Sequence, residues 1–277
     1  MSATQNRRKK IGLALGGGAA RGLAHVGVLD VLLQESIPID MIAGTSAGAV
    51  MGAIYASGQN TSKMIEHALD SRWKKIPMID PSFPKTGFIK GKKIMRLLSS
   101  FLGGNITFAD LKIPFACVAT DIDTGEEVVI ASGSVPDAIR ASISIPGIFT
   151  LVKWEGRYLV DGGLTAPVPV NVVKRMGADF IIAVNVNPPV SRRLGKSGKA
   201  QVKARKEPNF FQIMMQSIYI TTNAVARHNL MAADIVIEPD LAHIGAGDFH
   251  KANVLIEQGR KAALKVIPEI KRKLERL

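Results

Sequence analysis

The sequence predicts an α/β protein of three layers, with helices on both faces of a central, mostly parallel sheet. Three observations carry this. Short apolar runs at residues 10–15, 39–43 and 180–186 have the length and the flanking glycines or prolines of buried parallel strands. Helical patterns alternate with these runs, as βαβ units require. The 277 residues are 47% hydrophobic but only 5% aromatic. The core must therefore come from Ala, Val, Ile and Leu, which suits helices packed closely on a sheet.

In order along the chain, the first strand ends in Gly16, Gly17 and Gly18. From Arg21 to Gln34, apolar residues at Leu23, Val26, Leu29, Val31, Leu32 and Leu33 predict a helix. Pro38 blocks its continuation, and residues 39–43 form the next strand, which makes the pair parallel. A helix follows from a turn at Ser46 to near Gly58, and residues 61–66 predict a capped third helix. Residues 72–96 are basic and interrupted by Pro77, Pro81, Pro84 and Gly87, so they read as an irregular, lid-like excursion. Residues 115–122 and 127–131 flank Thr124-Gly125 as a hairpin. A short helix over 136–142 leads to a second hairpin, 149–154 and 158–160 around Glu155-Gly156, which delivers the chain to Asp161, Gly162 and Gly163. Beyond the strand at 180–186, residues 188–208 read as a flexible basic insertion. A helix over 210–231, a strand at 235–237 and a terminal helix from about Asp248, kinked at Pro268, complete the chain. With no internal repeat or dividing linker, a basic tail over 1–9 and a single domain over 10–277 are expected.

Composition excludes several classes. The single cysteine, Cys117, permits neither an internal disulfide nor a Cys-based zinc site. The net charge of +13 is clustered: residues 1–10, 72–96, 192–206 and 260–277 together carry +23, leaving −10 for the rest. An acidic body with basic appendages fits solvated faces and a solubilising tail or a phosphate-rich partner, and of such partners an anionic membrane surface fits better than nucleic acid. Neither helix-turn-helix spacing nor a base-stacking aromatic stripe accompanies the charge. The basic start precedes an apolar run too short and too glycine-rich for a signal peptide. Residues 41–62 carry no charge, yet Gly44, Gly48, Gly52 and Gly58 mark a strand, turn and buried small-residue helix, not a membrane span. A cytoplasmic protein, free or peripheral on the inner membrane face, is expected.

The chemistry concentrates in two glycine-rich turns. Gly44-Thr45-Ser46-Ala47-Gly48 matches G-x-S-x-G between a strand and a helix, the context in which that motif pushes its serine hydroxyl out at the strand end. A serine nucleophile needs a base. Among the histidines, His25, His67 and His228 fall in helical patterns, whereas His243 and His250 lie in a glycine-rich stretch near the end and stay open as bases. The loop of Gly16, Gly17, Gly18, Ala19, Ala20, Arg21 and Gly22 follows the first strand and opens a helix, so its N–H groups form an anion-binding concavity. No register of it satisfies G-x-G-x-x-G, Asp40 precedes its strand instead of ending it, and no Lys-Ser/Thr pair makes a phosphate loop. As a set of oxyanion donors it explains both turns at once, because parallel strands bring them to the same sheet edge.

GGGAARGLAHVGVL, GTSAG and DGG, in this order and spacing, resemble the three signatures of the patatin-like phospholipase family, and residues 140–149 resemble it too. The similarity covers roughly residues 10–240. It implies the patatin-like three-layer fold and a Ser-Asp dyad without histidine or metal. On that pattern Ser46 is the nucleophile and Asp161 its base, ionised at neutral pH and tuned by burial. Gly17, Gly18 and Ala19 line the oxyanion hole, Ala19 standing where many relatives have glycine. Gly44, Gly48, Gly162 and Gly163 shape the turns, and Arg21 stiffens the loop, meets a phosphate or pairs with a carboxylate. The implied activity is hydrolysis of fatty-acyl esters of phospholipids or lysophospholipids through an acyl-serine, with no cofactor. Acyl transfer from the same intermediate and lipid binding without turnover are the alternatives.

Overall fold

The computed structural model of the chain describes residues 8–70, 80–81, 86–189 and 207–276. Most of the N-terminal tail and of the 188–208 insertion, and parts of the 72–96 excursion, lie outside the described residues. The elements are β1 (Ile11–Leu15), α1 (Ala24–Gln34), β2 (Met41–Thr45), α2 (Ala47–Ala56), α3 (Thr61–Leu69), α4 (Lys92–Leu102), β3 (Phe115–Asp121), β4 (Glu127–Ile130), α5 (Val135–Ser142), β5 (Val152–Trp154), β6 (Arg157–Asp161), α6 (Val170–Arg175), β7 (Phe180–Val184), α7 (Phe210–Leu230), β8 (Ile235–Ile237) and α8 (Ala252–Leu274).

One eight-stranded sheet follows the order β5-β6-β3-β2-β1-β7-β8, with β4 also on β3. Strands β3, β2, β1, β7 and β8 are parallel neighbours, and β4, β5 and β6 are antiparallel. Alternation along the strands sends side chains to two separate cores. Leu13, Leu15, Ile42, Cys117 and Ile182 join the larger one with α1, α2, α5 and α8. Ala14, Ala43, Ala116 and Ala183 face the other way, toward Val170, Val172 and Val173 of α6 and Ala226 of α7. This is the three-layer arrangement expected, and small residues on the second face let α6 lie close. On the opposite face, α1 and α8 meet through glycines: a Cβ on Gly27 would stand 1.9 Å from the Ile256 carbonyl oxygen, and one on Gly259 2.0 Å from that of Ala24.

Two expectations need correction. The excursion is not irregular throughout, because α4 begins at Lys92; Ile94, Leu97, Leu98 and Phe101 are spaced i, i+3, i+4, i+7 and give it an apolar face. Helix α6 was not anticipated, since Pro167 and Pro169 hide six helical residues behind turn signals. Helix α8 runs as one element through Pro268, whose missing N–H leaves one rung of the ladder open.

The register of β3 positions everything that follows. Cys117 and Val118 pair with both β2 and β4, while Ala119 and Thr120 pair with both β4 and β6. A strand has two edges, so β2 and β6 must share the edge opposite β4. Parallel β2 ends there at Thr45 beside Val118, and antiparallel β6 ends at Asp161 beside Ala119. The two strands thus run toward each other and stop end to end.

Candidate active site

Where those ends meet, Ser46 and Asp161 touch although 115 residues separate them: Ser46 Oγ donates a 2.6 Å hydrogen bond to Asp161 Oδ2. Both residues are buried. Ser46 caps α2 with φ +52°, a conformation unusual for a residue with a Cβ, and it places the side chain at the helix N-terminus. The turn is held from outside: Ser46 N donates to Ser142 Oγ (2.8 Å), which donates onward to the Val118 carbonyl (2.6 Å). Close approach explains the two glycines beside it. A Cβ on Gly44 would stand 2.5 Å from the Gly48 carbonyl oxygen, and one on Gly48 2.1 Å from that of Leu15.

Asp161 is fixed from both sides. Its Oδ1 accepts from Gly163 N (2.7 Å), and its own N–H donates to the Ser144 carbonyl (2.9 Å). Gly162 lies against β3, where a Cβ would meet the Val118 carbonyl oxygen at 2.2 Å. Burial pushes the carboxyl from 3.8 up to about 6, against the opposing pull of the bonds from Ser46 and Gly163. A carboxylate poised there is ionised at neutral pH and still basic enough to take a hydroxyl proton in a transition state.

The glycine loop faces the same point. Gly17 N is already occupied by the Pro167 carbonyl (2.9 Å), which removes it from the expected donor set, although its backbone packs on Ser46. Gly18 N and Ala19 N have no acceptor among the described residues. Ala19 adopts φ +50°, so the departure from glycine puts a methyl-bearing residue in the left-handed region. The loop is braced by Arg21, which is buried: Nε donates to the Ile244 carbonyl (2.9 Å) and Nη1 to Asn187 Oδ1 (3.0 Å), while Asn187 Nδ2 donates to the Gly17 carbonyl (2.7 Å). Its guanidinium also stacks over Tyr219.

No histidine bonds Ser46 Oγ among the described residues. His25 Nε2 bonds the Gly16 carbonyl (2.8 Å), and burial lowers its pKa from 6.5 to about 4, so the ring is a neutral brace with its proton on Nε2. His67 lies tilted against Phe101 in the wall of the apolar cavity at Ser46. His228, His243 and His250 are exposed, and none of the three lines a cavity at Ser46.

Two cavities meet at Ser46. One, of about 220 Å³, is almost wholly apolar and runs from Ser46 between Leu23, Met51, Leu97, Phe101 and Phe149, walled by α4. The other, of about 130 Å³, opens on the Asp161 side past Arg21, Asn187 and Tyr219. Sequence reasoning missed Ser142, Asn187 and the α4 wall; only the last had a local signal, its helical spacing.

The chain matches the family described as patatin-like phospholipase over residues 13–174. It belongs to the patatin-like phospholipase family. An NTE family protein of Mycobacterium tuberculosis (strain ATCC 25618 / H37Rv) is 30% identical over 280 residues, covering 95% of this chain and 48% of that relative. Lysophospholipase NTE1 of Scheffersomyces stipitis is 29% identical over 276 residues, covering 92% and 18%. The chain thus spans about half or less of the length of these curated relatives. VipD from Legionella pneumophila aligns with 12% identity and a TM-score of 0.48, covering 95% of this chain and 67% of that one. Among the described residues, no helix is long and apolar enough to cross a membrane.

Proposed function

We propose that this patatin-like protein is a serine acyl hydrolase that cleaves fatty-acyl esters of phospholipids or lysophospholipids with a Ser46–Asp161 dyad. The observation that carries the reading is the 2.6 Å bond from Ser46 Oγ to a buried carboxylate, set where an almost wholly apolar cavity meets a second one that adds Arg21, Asn187 and Tyr219 to its apolar lining. In this scheme the acyl chain fills the apolar cavity and the alcohol portion lies toward Arg21, Asn187 and Tyr219. Ser46 Oγ attacks the ester carbonyl carbon as its proton passes to Asp161. The oxyanion is held by the N–H groups of Gly18 and Ala19 and by the N-terminus of α2. Collapse breaks the ester C–O bond, and the leaving alkoxide takes the proton from Asp161. Water then attacks the acyl-serine, giving its proton to Asp161, which returns it to Ser46 as the fatty acid departs.

Peripheral contact with an anionic membrane belongs to the same reading. The four basic segments supply attraction of about 1 kcal/mol per surface Lys or Arg. Helix α7, which lines the cavity on the Asp161 side with Met215, Ile218 and Tyr219, has no charged residue before Arg227 and leaves Phe210 82% exposed.

A fluorophosphonate probe and a lysophospholipid hydrolysis assay test the dyad together. Wild type should label stoichiometrically, Ser46→Ala should not label, and Asp161→Asn should lose about 10²–10⁴-fold in kcat. His243→Ala and His250→Ala should keep near wild-type rates. Loss of activity in a histidine variant with retention in Asp161→Asn would reverse the assignment.

A further inference from the structure

Helix α4 has a second face, and it borders a second cavity. Its apolar side closes the chamber at Ser46, whereas Lys92, Met95, Arg96 and Ser99 turn the other way, into a separate cavity of about 830 Å³. Lys90, Asn105, Thr107, Ser134 and Arg140 also line it. Four cations and one carboxylate, Asp137, line it, a second carboxylate, Asp80, sits at the start of α4 and acts on Arg140, and Lys90, Lys92 and Arg96 make no ion pair among the described residues. The backbone amides nearby are already bonded. Gly91 N and Lys92 N donate to Asp80, and Asp137 N to Ser134 Oγ, so the unmet capacity belongs to side chains. Arg140 forms the back wall, buried, with bonds to the carbonyls of Lys90 and Thr150 and to Ser144 Oγ. Cations gathered at a concave site beside hydroxyl and amide donors match a phosphate group.

We infer that this cavity is a binding site for a phosphomonoester anion, held by Lys90, Lys92 and Arg96 with Ser134 and Asn105, and separate from the Ser46 centre. Its position gives an occupant a mechanical consequence. The ligand bridges α4 to α5, and α4 is the wall of the apolar chamber. Arg140 reaches Ser144 Oγ at 2.7 Å, and the Ser144 carbonyl holds Asp161 N. Ser142, on the same helix as Arg140, holds Ser46 N. Filling the cavity should therefore steady both the chamber wall and the helix that braces the dyad.

The phosphate could come from a soluble ester or from a lipid headgroup, and two arms separate these sources. Glycerol 3-phosphate is titrated into the full chain by calorimetry at low salt, and phosphatidylcholine vesicles containing phosphatidic acid or, at matched surface charge, phosphatidylglycerol are used in co-sedimentation. Lys92→Gln/Arg96→Gln is compared with Lys261→Gln/Arg272→Gln, which removes the same charge from α8, and folding of each is checked by circular dichroism. Arg96→Gln alone supplies a milder variant. Saturable binding that weakens at least tenfold in the α4 pair and less than twofold in the α8 pair is expected, with α4 amides gaining hydrogen-exchange protection. Binding of glycerol 3-phosphate identifies a soluble ester as sufficient; preference for phosphatidic acid vesicles alone identifies a bilayer headgroup. Equal weakening in both pairs, or no saturable binding in either arm, overturns the site. Because binding is read without turnover, this outcome is independent of whether Ser46 hydrolyses lipid.

Discussion

The turns that leave β1 and β2 are built alike, yet they tolerate change differently. Each joins a parallel strand to a helix at the same sheet edge, and each holds a residue with a Cβ at φ near +50°, Ala19 in one and Ser46 in the other. Ala19 lines both cavities at Ser46, and its positive φ costs about 1–2 kcal/mol relative to glycine while its N–H is the group the proposed chemistry uses. At Ser46 the strained residue carries the hydroxyl itself, and the strain is inseparable from the chemistry. A positive φ at a functional turn is thus informative only together with which atom of the residue is presented.

Exchanging each strained residue for glycine sharpens the contrast most. Ser46→Gly should abolish turnover, by about 10³-fold or more, while raising thermal stability. Ala19→Gly should leave kcat/KM within about twofold and stabilise by up to about 1 kcal/mol, the gain being limited by the greater freedom of glycine in the unfolded chain. Paired thermal melts and esterase rates on the two variants check this, and a large activity loss in Ala19→Gly would erase the distinction.

A smaller effect concerns packing beneath the second turn. Gly48→Ala places its methyl on the Leu15 carbonyl at 2.1 Å and should destabilise by about 3 kcal/mol, seen as a lowered denaturant midpoint. The equivalent change on the first turn, Gly17→Ala, meets Ser46 Cβ at 3.2 Å and should cost far less stability.

The most gradual effect is that of pH. With the Asp161 carboxyl raised to about 6, its base form grows as pH rises through that value, so kcat/KM should climb about tenfold per unit below pH 6 and level off above it. Stability carries the opposite sign. A raised carboxyl favours the folded state fully below 3.8, and this contribution is lost as pH rises through about 6. Asp161→Asn should remove that loss. Denaturant titrations of both proteins between pH 4 and 7 measure it, and identical profiles would contradict the raised value.

How much was legible in advance follows from where the partners sit. The two turns announce themselves because each is a local pattern of glycines around a reactive residue, whereas Asp161 was singled out only through the family resemblance of its DGG, the residues alone having left His243 and His250 open. Ser142 and Asn187 do not, since their roles exist only through contacts with residues 96 and 170 positions away. The occupation of Gly17 N by Pro167 is likewise invisible, a backbone bond that no side-chain pattern encodes. Helix α4 was hidden for another reason: its apolar spacing is sound, but the surrounding bases and prolines outweighed it. Strand and helix order were readable because hydrophobic period is local, whereas the end-to-end meeting of β2 and β6 depends on the register of a third strand.

That meeting makes competence conditional on two separate pairings. Under the proposed dyad, the alcohol at the end of β2 gains its base only when β6 shares the edge of β3 that β2 already half covers, so loosening either strand from β3 parts the two groups without touching them.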